Sequence, residues 1–72
     1  MEEIGGFNEG DTVFLDNLIN KFGGTYREGD HNPMNTPGVI YGEDNAYDGR
    51  LLVKWSNGKS NTYLASNLRH AN

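Results

Sequence analysis

Two histidines, His31 and His70, are the only imidazoles in the chain, 39 positions apart in polar surroundings. Structural zinc takes four N, S or O donors at short spacing, and neither histidine has a third ligand following it at such spacing. The chain has no cysteine, which removes thiolate ligands, disulfides and thiol nucleophiles together. Glu43, Asp44 and Asp48, with Asp30, are rich in oxygen but lack the ordered alternation of a calcium loop, so they read as a solvated acidic turn. Paired carboxylates need a cleft that drives their pKa values apart, and a chain of 8.0 kDa has little room for one. Ser56, Ser60 and Ser66 lack a G-x-S-x-G setting, and the glycines follow neither a P-loop nor a dinucleotide fingerprint. The expectation is a non-enzyme with no catalytic residue, no metal and no cofactor.

Recognition chemistry is better represented. Tyr26, Tyr41, Tyr47 and Tyr63 each combine a broad apolar face with a polar tip, the residue type that anchors protein interfaces. Phe22 and Met34 join them as candidate partner-binding residues, because both lie in an early stretch where apolar side chains follow no period. Trp55 reads as core, Gly58 as a turn residue, and Asn61 as a structural hydrogen bond tying a hairpin to a loop.

The elements that must hold these residues are short strands. The 72 residues bound the answer to one domain, with 10 Gly and 35% hydrophobic residues favouring tight turns over a helical bundle. A single domain over 10–72 is expected, preceded by an N-terminal tail over 1–9. Thr12-Val13-Phe14-Leu15 follows a Gly10-Asp11 turn signal and reads as a first strand. Asp16 to Phe22 admits either a capped helical turn or an irregular loop anchored by Leu18, Ile19 and Phe22. Residues 25–37 show no period, and Asn32-Pro33 and Thr36-Pro37 steer away from helix. Loops of that length are commonly functional.

Gly38-Val39-Ile40-Tyr41 reads as a second strand, and 42–49 as turn-rich. Leu51 to Trp55 and Lys59 to Tyr63 then form a hairpin about Ser56-Asn57-Gly58. Its register has two solutions. A two-residue turn puts Asn61 and Tyr63 on the face away from Trp55; a three-residue loop with a bulge puts all three on one face. Leu64 to Leu68 suits a short helical turn, with Arg69-His70 as a brief closing strand. The fold class is all-β: a small half-open barrel of four or five short antiparallel strands, with a long early loop. Its expected core is Val13, Leu15, Val39, Leu51, Val53, Trp55 and Leu68.

The sequence Gly10-Asp11-Thr12-Val13, then Gly38-Val39, then Val53-Lys54-Trp55 through Gly58, Asn61 and Tyr63 to Asn67-Leu68, resembles the Mib/Herc2 family of SH3-like domains. It is also similar to short SH3-like proteins common in bacteriophage genomes. The resemblance implies an SH3-like barrel and a binding habit rather than a reaction. It departs from the family where a Trp-rich segment usually follows the first strand; here Leu18, Ile19, Phe22 and Tyr26 stand instead.

Charge divides by halves. Residues 1–49 hold all ten acids with only Lys21 and Arg27, whereas 50–72 hold Arg50, Lys54, Lys59 and Arg69 with no acid, within a net charge of −4. The favoured expectation is a protein- or peptide-binding module, its partner a host or phage protein, with the 16–37 loop and the 42–49 turn flanking a groove. The alternative is nucleic-acid binding through Arg50, Lys54, Lys59 and Arg69, with Trp55 or Tyr63 as a stacking surface. A smaller possibility is capture of a nucleotide-like ligand within an oligomer. No apolar run approaches the ~20 residues of a membrane span, and the N-terminus lacks a signal-peptide layout, so no membrane and a cytoplasmic location are expected.

Overall fold

The computed structural model describes residues 1–46 and 49–71. Strands β1 (Thr12–Leu15), β2 (Gly38–Asp44), β3 (Arg50–Trp55) and β4 (Ser60–Tyr63) are followed by a 3₁₀ turn (Ala65–Asn67) and β5 (Leu68–His70). They form one antiparallel sheet in the order β4-β3-β2-β1-β5. Inward-facing residues of all five strands meet in a single buried cluster, so the sheet curls on itself as a small half-open barrel. No helix among the described residues is long and apolar enough to cross a membrane.

The pattern of burial follows from strand alternation. Val13 and Leu15 point inward from β1, Ile40 from β2, and Leu51, Val53 and Trp55 from β3, while Lys54 between them is exposed. Val39 is therefore not a core residue. It is 45% exposed, because the pleat that carries Ile40 inward turns its neighbour out. Ile40 faces Val53 but Gly42 faces Leu52, which makes Tyr41 the extra residue of a β-bulge.

The hairpin adopts the three-residue solution. Lys54 faces Ser60, Val53 faces Asn61 and Leu51 faces Tyr63, with Trp55 N–H donating to Lys59 O over 2.8 Å. Gly58 N–H returns to Trp55 O over 2.9 Å, and Gly58 takes the φ of +88° that ends such a loop without a Cβ penalty. Asn61 and Tyr63 thus share the inner face with Trp55.

The structure places both segments that flank β1. Residues 1–9 are not a detached tail: Ile4 and Phe7 exchange backbone hydrogen bonds of 2.9 Å across Gly5-Gly6, and Phe7 is buried in the core. Its ring also stacks on His70 of β5 at 4.4 Å between centroids. An apolar residue isolated among polar ones carries no periodic signal, yet it caps the end of the barrel. The segment after β1 is the irregular loop rather than the helical turn, closed by an Ile19–Thr25 bridge and by Tyr26 N–H to Leu18 O at 2.8 Å.

Gly38 marks where β2 passes over Trp55. A Cβ there would sit 2.5 Å from Trp55 Cε3 and 2.7 Å from Val53 Cγ1, closer than real contacts allow. Gly38→Ala is expected to cost about 2–3 kcal/mol or more through forced repacking. The exposed neighbour Val39→Thr should stay within about 0.5 kcal/mol of the parent. Urea denaturation of both variants measures the difference.

Candidate functional site

The long early segment is fixed at two places by asparagines. The first is the hairpin. Trp55 Nε1–H donates to Tyr63 Oη over 3.0 Å, and the Tyr63 hydroxyl has two acceptors, His31 O at 2.7 Å and Asn32 Oδ1 at 2.8 Å. Asn61 Nδ2 donates to the same Asn32 Oδ1 over 2.9 Å, and Asn57 Nδ2 to Asp30 O over 2.9 Å. Asn61 is thus a tie between hairpin and loop, as its place on a short strand suggests. Tyr63 is a correction: its ring is 1% exposed and set edge-on to Trp55, so it supports the loop from inside and offers no surface for a partner.

The second place is the 3₁₀ turn. Asn67 is fully buried, and its Nδ2 donates to Ile19 O at 2.7 Å and Asn17 Oδ1 at 3.0 Å. Its Oδ1 accepts Leu64 N–H at 3.1 Å, while Asn17 Nδ2 reaches Ser66 O at 2.8 Å. A buried amide repays its desolvation only when both ends are bonded, and both ends of Asn67 are.

Between these clamps, residues 18–26 project as a small closed loop. Asn20 Oδ1 accepts Phe22 N–H at 2.9 Å and Gly24 N–H at 3.0 Å, and Asn20 N–H reaches Gly24 O at 2.8 Å. This bracing holds Phe22 at the tip, 86% exposed, with Lys21 Nζ 5.1 Å from its ring centre. Asn20, Lys21, Phe22, Tyr26, Arg50 and Thr62 line one open groove of about 340 Å³. Arg50 Nη1 donates to Tyr26 Oη over 3.2 Å, joining the loop to the start of β3.

The predicted binding residues therefore divide. Phe22 and Tyr26 come together in this groove. Met34 is half-buried and packs against the core. Tyr41 is exposed on the bulge of β2, outside that groove's lining. Tyr47, like Asp48, lies outside the described residues. Trp55 is buried in the core, Gly58 closes the hairpin loop at positive φ, and Asn61 bonds to Asn32. Asn20, Lys21 and Thr62 were missed as groove residues. An Asn followed by Gly-Gly three residues later signals an Asx-type turn, so the bracing by Asn20 was open to discovery from the chain itself.

A second, apolar concavity of about 420 Å³ lies elsewhere, between Pro37, Val39, Thr12, Lys54 and the rim of Trp55. Arg50 borders the first groove and Lys54 the second. Arg69 lies over the Phe14 ring at 4.8 Å and 4.0 Å from Asp16. His70 places Nδ1 3.9 Å from Asp11 and Nε2 3.0 Å from Gly6 O. Along β1 and β5, the basic end of the chain therefore meets its acidic beginning.

Comparison with protein-family models, curated proteins and solved structures gives no match for this chain.

Burial pushes the Tyr63 phenol above its ordinary 10.0, only partly offset by its hydrogen bonds with Trp55 and Asn61. The folded state thus favours the neutral phenol. Its contribution is intact below pH 10 and is lost as pH rises from there through the raised folded value. Tyr63→Phe leaves the Trp55 N–H buried without an acceptor and is expected to cost about 2–3 kcal/mol at neutral pH. Above pH 10, the urea midpoint of the parent should fall more steeply than that of Tyr63→Phe.

Proposed function

We propose that this chain is a non-catalytic protein-binding module that presents Phe22 as its anchor, with Tyr26 and Arg50 forming the wall behind it. The observation that carries this reading is the combination of extreme exposure and firm support at Phe22. An aromatic side chain left in water gives the fold nothing, whereas its burial by a partner is worth about 2–3 kcal/mol. Holding it on a braced loop reduces the ordering cost that binding would otherwise carry. The likeness to Mib/Herc2 and bacteriophage SH3-like domains supports a binding role, and with it a host or phage protein as partner in the cytoplasm.

Nucleic-acid binding is the weaker reading. Non-specific affinity for a phosphate backbone comes from several cations neutralising neighbouring phosphates. Here Arg69 is held against Phe14 and Asp16, and Arg50 and Lys54 border different concavities.

Parent and Phe22→Ser proteins, immobilised and exposed to an extract of the native cell, test the proposal. The substitution should change stability by no more than about 0.5 kcal/mol. It should weaken capture of the partner by about thirtyfold, the loss typical of an aromatic anchor. Equal capture by both proteins refutes the reading.

A further inference from the structure

The tip of the β3–β4 hairpin carries a chemistry that the groove beside Phe22 does not use. Asn57 is the one asparagine of the chain that precedes glycine. The other asparagines inside the chain precede Ala, Glu, Leu, Lys, Pro or Thr, whose side chains crowd the backbone nitrogen that would attack the amide. Gly58 has no such side chain, and residues 56–60 are exposed, so water and base reach the tip. In the folded chain that nitrogen is engaged: Gly58 N–H donates to Trp55 O over 2.9 Å. The amide it would attack is held at both ends. Asn57 Oδ1 accepts Lys59 N–H at 2.9 Å, and Asn57 Nδ2 donates to Asp30 O at 2.9 Å. The second of these bonds ties the hairpin to the early loop, where Asn61 also bonds Asn32 at 2.9 Å.

We propose that Asn57 is a deamidation site, closed while its amide bonds Asp30 and open when the hairpin tip detaches, whose products no longer make that tie. Gly58 N loses its proton to solvent base and attacks Asn57 Cγ. The Cγ–Nδ2 bond breaks, ammonia leaves with a proton taken from water, and a succinimide ring joins residues 57 and 58. Water then opens the ring at either carbonyl, restoring the Gly58 N–H and giving aspartate or isoaspartate. Aspartate keeps an acceptor for Lys59 N–H but has no donor for Asp30 O, and it sets a carboxylate against that carbonyl. Isoaspartate also adds a methylene to the main chain, which shifts Gly58 relative to Trp55 O. Either product loosens residues 30–32 from the hairpin. Attack requires the bonds at Gly58 N, Asn57 Oδ1 and Asn57 Nδ2 to open. The rate therefore follows the population of the detached tip rather than exposure alone.

The test incubates the full chain and a synthetic peptide of residues 53–60 side by side in mildly alkaline buffer. Mass spectrometry of digests follows amide-to-acid conversion residue by residue. Asn57 should convert ahead of every other asparagine. Its conversion should be at least about tenfold slower in the folded chain than in the peptide, and should reach the peptide's rate once urea unfolds the chain. Asn57→Asp should lower the urea midpoint and move the amide NMR shifts of residues 30–32 more than those of residues 18–26. The rate comparison uses the parent alone, so it holds whether or not that variant folds. Faster conversion of another asparagine overturns the assignment to Asn57, and equal rates in folded chain and peptide overturn the closed state. Unmoved shifts at residues 30–32 in a folded Asn57→Asp overturn the loss of the tie.

Discussion

The structure depends on satisfying one buried indole N–H. Trp55 is too large to leave out of a core this small, and its nitrogen must have an acceptor once water is excluded. Tyr63 supplies it, and the Tyr63 hydroxyl must then find an acceptor of its own, which the loop at His31-Asn32 provides. A packing requirement in the hairpin thereby becomes a positional requirement on a segment some thirty residues earlier. The aperiodic loop is ordered because the core needs its carbonyl oxygen.

The same logic repeats at the other end of the loop with Asn67, whose buried amide holds Asn17 and Ile19. Both clamps use amide or phenol groups of the C-terminal third to hold backbone and side-chain acceptors of the N-terminal half. In a chain with no disulfides, such polar ties are a natural way to order long connections. The charge split by halves belongs to the same arrangement where β1 and β5 meet, with Asp16 near Arg69 and Asp11 near His70. Exposed pairs of this kind contribute little each, so the buried amides matter more.

Between the two clamps the loop is left to project, and Phe22 is its product. Asn20 shapes the tip so that an apolar ring stands in water beside an open groove. The long segment thus performs two tasks that periodicity cannot distinguish. Its 30–34 part completes the barrel, with Met34 against the core, while its 18–26 part forms a protruding surface.

The strands, their order along the chain, the slight helical content and most of the core followed from local pattern alone. Alternation and turn chemistry are short-range properties, legible in runs such as Leu51 to Trp55 and in Asn57-Gly58. Asn61 drew notice for a similar reason: a polar residue on a short strand must satisfy its amide somewhere, whichever face the register gives it. What only the tertiary structure decided was where distant segments meet. Phe7 joins the core, Val39 leaves it, Tyr63 turns from surface candidate to internal support, and Lys21, Arg50 and Thr62 converge on Phe22. Those outcomes depend on hydrogen bonds and packing between residues tens of positions apart, and no local spacing encodes which acceptor a buried donor will reach.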